Sequence, residues 1–339
     1  MSDIAIGRKE ARVATSTAFI TLLLGVSVLP AICFALAAPP GGTSLSLFQI
    51  LAVINIPHVA LTAIFWIDPR YRGHMAANAG RYYVLPLCIV AISVVLAAAF
   101  GVAGAMLVLA AHAAWLLYHY GRQNWGLLCL AGIATKSGKP LALERFSCTW
   151  APIAGIAVYL PSLTYLPPSA YTPDLSAVAW LPSVSAAMWS AGLALTAAVV
   201  SASAVALVRL ARAGAHPLRL GMSAMAALFF VPFFLISDPG LALLLVATPH
   251  GLQYAVMTVT LAVDGRRQPV ALRLALLVPL VVAGTYLMVL MLGSASPVVV
   301  CANAALIMGF HFLLDAGVWR LREPFQRAAM QESFAFLFR

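Results

Sequence analysis

AGAMLVLAAHAAWLLYHYGRQNWGLLCLAGI, residues 103–133, carries a single formal charge, on Arg122, and is followed at once by Lys136 and Lys139. About 20 predominantly apolar residues are enough for a helix to cross the hydrocarbon of a bilayer. The stretch therefore reads as a transmembrane helix ending at a basic connection. It also holds His112, His119, Gln123 and Asn124. Polar groups at that depth cost free energy, so they face a bundle interior, a partner or a cofactor. One segment thus sets both the fold class and the place to look for a site.

The rest of the chain repeats the pattern. Of 339 residues, 63% are hydrophobic and 9% charged, against about 25% charged in soluble domains. No polar region is long enough to form a soluble domain, so residues 1–339 read as one transmembrane helical domain. Apolar runs of spanning length fall near 14–38, 46–67, 83–100, 103–133, 146–166, 185–208, 219–237, 240–263, 271–293 and 298–319. The third and fourth are separated only around Gly101 and Gly104, and the seventh and eighth only at Asp238-Pro239-Gly240.

The net charge of +10 would fit a nucleic-acid partner were the basic residues spread over one soluble face. Instead they alternate with the segments. Arg8, Lys9 and Arg12 precede the first; Arg70, Arg72 and Arg81 follow the second; Lys136, Lys139 and Arg145 follow the fourth. Arg209, Arg212 and Arg219 follow the sixth, Arg266, Arg267 and Arg273 the eighth, and Arg320, Arg322, Arg327 and Arg339 the tenth. The other connections hold no Lys or Arg. By the positive-inside bias this predicts an all-α, polytopic protein of about ten transmembrane helices, both termini cytoplasmic. It lies in a cell membrane, the cytoplasmic membrane if bacterial, with the bilayer as its partner and no nucleic acid. ALAAPP at 35–40 has the small residues of a cleavage site, but the apolar run before it exceeds the 7–15 residues usual in a signal peptide, so the first helix is expected to be retained.

Five cysteines, Cys33, Cys88, Cys129, Cys148 and Cys301, all fall in apolar segments and form no CxxC or Cys/His zinc spacing. They read as small apolar core residues rather than a disulfide framework.

Five of the seven histidines are intramembrane: His58, His112, His119, His250 and His311. They fall on the second, fourth, eighth and tenth segments, which all run from outside to inside. Each heads a polar stripe at helical spacing: Asn55, His58, Thr62; His112, Trp115, His119, Arg122 or Gln123; His250, Gln253, Tyr254, Met257; Asn303, His311, Asp315. Counted from the cytoplasmic helix ends, the histidines spread over about 12 Å of depth, compatible with a meeting point in the inner half of the bilayer. An imidazole backed by amide, hydroxyl or carboxylate groups on each of four helices has the composition of a metal's ligands and their hydrogen-bond partners.

The stripes also echo one another. His58 precedes His119 by 61 residues, as His250 precedes His311; Tyr118-His119-Tyr120 matches Phe310-His311-Phe312, and Gln123 falls opposite Asp315 at the same offset of 192. A parallel repeat of helices 2–4 and 8–10 is expected, with a four-histidine site on its pseudo-twofold axis and His112 the unpaired extra.

Imidazole suits iron, copper and zinc. No HxxxH or HExxH pair is present, and one non-haem iron held by a histidine from each of four helices fits the inventory. The Pro-His pairs at 57–58 and 249–250 and the run YHYGRQ at 118–123 resemble the bacterial membrane carotene-cleaving dioxygenases. That resemblance implies several intramembrane histidines on one iron and an oxygenase acting on a lipophilic small molecule. The sequence departs from that family's acidic residue after Pro-His-Gly, since Gly251 leads to Tyr254. His58, His119, His250 and His311 are the expected ligands, with His112 as an alternative and Asp315, Arg122, Gln123 and Tyr254 acting beside the metal. Haem held by paired histidines, with or without copper, is one rival. A proton-coupled transporter using His119, Arg122, His311 and Asp315 is another.

Overall fold

The computed structural model describes residues 14–29, 32, 55–162, 181–263, 269–294 and 296–338. The small-residue stretch at 35–40 lies outside them. Among the described residues the chain is helical, with no strands. In chain order the helices are α1 (Ala14–Leu29), α2 (Asn55–Ile67), α3 (Pro69–Ala77), α4 (Leu85–Ala134), α5 (Ala142–Ser162) and α6 (Leu181–Arg212). They continue with α7 (Pro217–Leu228), α8 (Pro239–Ala262), α9 (Val270–Leu292), α10 (Pro297–Val318) and α11 (Pro324–Ser333).

Among the described residues, five helical stretches are long and apolar enough to cross a membrane: Gly80–Ala134, Pro182–Arg212, Pro239–Ala262, Val270–Leu292 and Pro297–Val318. The first, as one straight helix, would measure about 80 Å, more than twice the ~30 Å of hydrocarbon. It does not run straight. Gly101 takes φ 56°, ψ −130°, a conformation closed to residues with a Cβ. The chain doubles back there, and the Leu96 carbonyl rests so closely on Gly104 that a Cβ could not fit. α4 is therefore a helical hairpin whose limbs share Ala97, Ala105 and Val108 in one apolar cluster with Cys301 and Phe312 of α10. The break falls at the glycines expected from the sequence.

α8 is the most buried of the long helices, and α9 is exposed along nearly its whole length. The second limb of α4 packs on α5, where Gly121 lets Pro152 approach. α5 lies along α6 through Gly192 and a Ser147–Ser203 hydroxyl pair at 2.7 Å. Glu144, at the start of α5, pairs with the fully buried Arg219 of α7 at 2.5 Å.

Carboxylates tie together basic residues that follow the second, eighth and tenth apolar segments. Asp68 caps α3 by accepting from the Arg70 backbone N–H at 2.9 Å, and its carboxylate also meets the Arg70 guanidinium at 2.7 Å and Arg273 at 3.5 Å. Burial pushes the Asp68 carboxyl up, but the bond and charge of Arg70, with Arg273, outweigh it and hold the group below the ordinary carboxylate value. Arg70 and Arg81 reach Glu332 and Glu323 of the C-terminal arm at 3.4 and 3.5 Å. The arm returns to α1, where Phe334 and Phe336 pack edge-on against Phe19 and the Phe336 carbonyl accepts from Ser16. Among the described cysteines, all free, Cys148 and Cys301 are buried as expected, whereas Cys88 faces outward.

Candidate metal centre

Four imidazoles meet in the interior, one each from α2, the second limb of α4, α8 and α10. Neighbouring ring centroids are 5.1 Å apart for His58–His250, 5.0 Å for His250–His119, 5.3 Å for His119–His311 and 5.2 Å for His311–His58. All four packings are edge to face, and the His250–His311 diagonal is 6.5 Å. None of the four histidines exceeds 7% exposure, so bulk solvent does not reach their nitrogens.

Local backbone features aim these rings. Pro249 precedes His250 within α8 and cannot supply a backbone donor to the turn before it. Behind His58, residues Leu61–Ala63 tighten into a 3₁₀ turn that carries Thr62 inward. In α10, Met308–Phe312 widens into a π turn, so that the consecutive His311 and Phe312 are both buried. Such bulges recur at functional sites. Gly251 allows α2 to close on α8: a Cβ there would lie 2.9 Å from His58 Nδ1 and 3.0 Å from Asn55 Oδ1.

A polar network orders the rings. Thr62 Oγ1 is 2.8 Å from His311 Nδ1 and 3.1 Å from the Tyr254 hydroxyl. Tyr254 donates to Asp315 Oδ1 at 2.9 Å. The other carboxylate oxygen, Oδ2, stands 3.6 Å from His119 Nε2 and 3.9 Å from His311 Nδ1. Gln123 donates to the His250 carbonyl at 3.1 Å and to Gln253 at 2.7 Å, and Gln253 donates onward to Ser27 of α1 at 2.7 Å.

The donor chemistry fits a metal ion. Buried nitrogens without a hydrogen-bond partner include His58 Nδ1, His119 Nε2, both nitrogens of His250 and His311 Nε2. Orphaned buried polar atoms are rare, and several converging here want a common occupant. Ligand atoms of His58, His250 and His311 lie within 4.8 Å of one another, as do those of His119, His311 and Asp315. Two nitrogens about 2.1 Å from one ion lie about 3.4 Å apart in tetrahedral geometry and about 4.2 Å apart in trans, so a small contraction would close either set.

The structure thus gathers His58, His119, His250, His311, Tyr254 and Asp315, and puts Gln123 behind His250. Two expected members stand elsewhere. Arg122 is exposed on the outer side of α4 and does not reach Asp315. Adjacent helical residues point about 100° apart, and the inward position is taken by the neutral Gln123. His112 belongs to neither ligand group. Two turns from His119, it is separated from the cluster by Phe312, whose ring stacks on both histidines at 5.6 and 4.7 Å. Sequence reasoning missed Phe312 and Tyr120, whose ring lies 4.1 Å from that of His250. Their signal was in the matched aromatic neighbours of His119 and His311.

Residues 192 positions apart meet within the cluster: His58 with His250, His119 with His311, and Thr62 with Tyr254. The crossed pairs His58–His311 and His250–His119 have nearly equal spacings. These nearly equal crossed spacings are what the repeat expected from the sequence would produce. Compared with known proteins, the chain matches no family, no curated protein and no solved structure.

Proposed function

We propose that this chain is a polytopic membrane metalloprotein that oxidises a lipophilic small molecule with dioxygen, using non-haem iron held between α2, α4, α8 and α10. One observation carries the reading: four buried imidazoles from four helices stand edge to face at about one spacing, with converging nitrogens that nothing else satisfies. Imidazoles and a carboxylate without thiolate suit iron, copper or zinc. The resemblance of the Pro-His pairs and YHYGRQ to carotene-cleaving dioxygenases favours iron and dioxygen among these. Ten membrane crossings with both termini cytoplasmic accompany this reading, supported by the α4 hairpin and by the ion pairs that join Arg70, Arg81 and Arg273 to Asp68 and the C-terminal arm.

The bound iron would supply redox chemistry toward dioxygen; the protein's own groups do the rest. Thr62 and Tyr254 fix the orientation of His311 and Asp315. Tyr254 keeps its hydroxyl proton directed at Asp315 Oδ1. Phe312 and Tyr120 cover the rings of His119 and His250 and keep water from them. The close edge-to-face packing supports a bare ion over haem, which needs two imidazoles facing each other across a macrocycle.

Metal analysis and an absorption spectrum of detergent-purified protein test the reading. About one iron per chain without a Soret band is expected. A Soret band would replace it with a haem protein, and protein that takes up no metal from excess ferrous iron would leave the cluster as a proton relay of a transporter.

A further inference from the structure

The cluster offers two ligand triads that share His311, and charge distinguishes them. His58, His250 and His311 are neutral donors; His119, His311 and Asp315 include a carboxylate. At bilayer depth an ion bound by the first triad would keep both its charges, whereas ligation by Asp315 would offset one of them. No lysine or arginine pairs with Asp315 among the described residues, because Arg122 points outward. Tyr254 occupies Oδ1, while Oδ2 is turned toward the two imidazoles of the second triad. His311 Nδ1, the nitrogen 3.9 Å from Oδ2, is shared with Thr62 Oγ1, while His311 Nε2 and His119 Nε2 have no partner. The other half of the molecule supplies no second charge, since the residue 192 positions before Asp315 is the amide of Gln123.

We infer that the metal is held by His119, His311 and Asp315, off the pseudo-twofold axis, and that His58 and His250 are not ligands but line its open side. This deepens, and rests on, the metal-dependent reading above. Two histidines and one carboxylate with open positions form the donor set of non-haem ferrous oxygenases. His58 and His250, whose rings adjoin the ligand rings, then stand where a small co-ligand enters, with nitrogens free to hydrogen-bond to it.

Ferrous iron and nitric oxide are the probes. Asp315→Asn preserves shape and removes only the charge, and it should weaken iron binding about 10-fold or more, read by chelator competition. His58→Gln and His250→Gln should keep one iron per chain while changing the electron paramagnetic resonance of the ferrous–nitrosyl adduct. Iron retained at wild-type affinity by Asp315→Asn, or lost from either histidine variant in monodisperse protein, would overturn the assignment. Should Asp315→Asn not be monodisperse, the histidine variants decide alone. Wild-type protein that binds no iron would instead overturn the reading on which this one rests.

Discussion

Tyr254 and Thr62 hold the centre through single hydroxyls. Losing the hydrogen-bond partner of a ligating group typically costs about 10–100-fold in metal affinity or activity. Tyr254→Phe removes the bond to Asp315 Oδ1 but keeps the ring beside His311, so weaker iron binding with unchanged folding is expected in chelator competition. Gly251→Ala acts differently. Its methyl would press on His58 Nδ1 and Asn55 Oδ1, an overpacking cost of about 1–3 kcal/mol. It should lower the melting temperature and shift the nitrosyl spectrum while iron content stays constant; an unchanged spectrum would remove His58 from the open side. The histidines were legible from the sequence because few other roles explain imidazoles in lipid. Their partners were less so. A spacing of three or four residues fitted both Arg122 and Gln123, and only the packed helix shows which of two neighbours turns inward. Asp315, one turn beyond His311, was readable as a neighbour of that ring but not as sharing an oxygen with His119 from another helix.

Elements are joined at a few backbone positions that tolerate little change. The α4 hairpin depends on Gly101 in a strained region and on Gly104 beneath the Leu96 carbonyl. Gly101→Ala should cost about 1–3 kcal/mol, and Gly104→Ala more, because its methyl must separate the limbs; thermal melting in detergent orders the two. Asp68 joins the end of α2 to α3 and α9. Removing one partner of a buried ion pair costs about 3–5 kcal/mol, and Asp68→Asn would leave Arg273, 1% exposed, without its counter-charge. Because the folded carboxyl titrates below its unfolded value, its contribution is full above about pH 4 and is lost as pH falls through the folded value. The melting temperatures of wild type and Asp68→Asn should therefore differ at neutral pH and converge in acid. The hairpin was legible because two glycines interrupt an over-long apolar run. The π turn of α10 was not, since one extra residue in a turn leaves the apolar pattern of a buried helix unchanged.

Across the whole molecule, the alternation of charged and uncharged connections was the strongest signal in the sequence, and it gives the sharpest test. Reporter fusions after residues 75, 140, 214 and 267 should report inside, and those after 42, 170 and 295 outside; an inside signal at 170 would break the ten-helix arrangement. What alternation could not reveal is how the arm after α10 meets α1. The C-terminal arm lies under the bundle, with Phe334 and Phe336 against Phe19 and Glu332 on Arg70. That contact imposes an order on biosynthesis. Phe19 is made more than 300 residues before the rings that cover it. Until residues 334–336 have been synthesised, the Phe19 face must meet something else, lipid or insertion machinery, and the joint between α1 and the arm closes only afterwards.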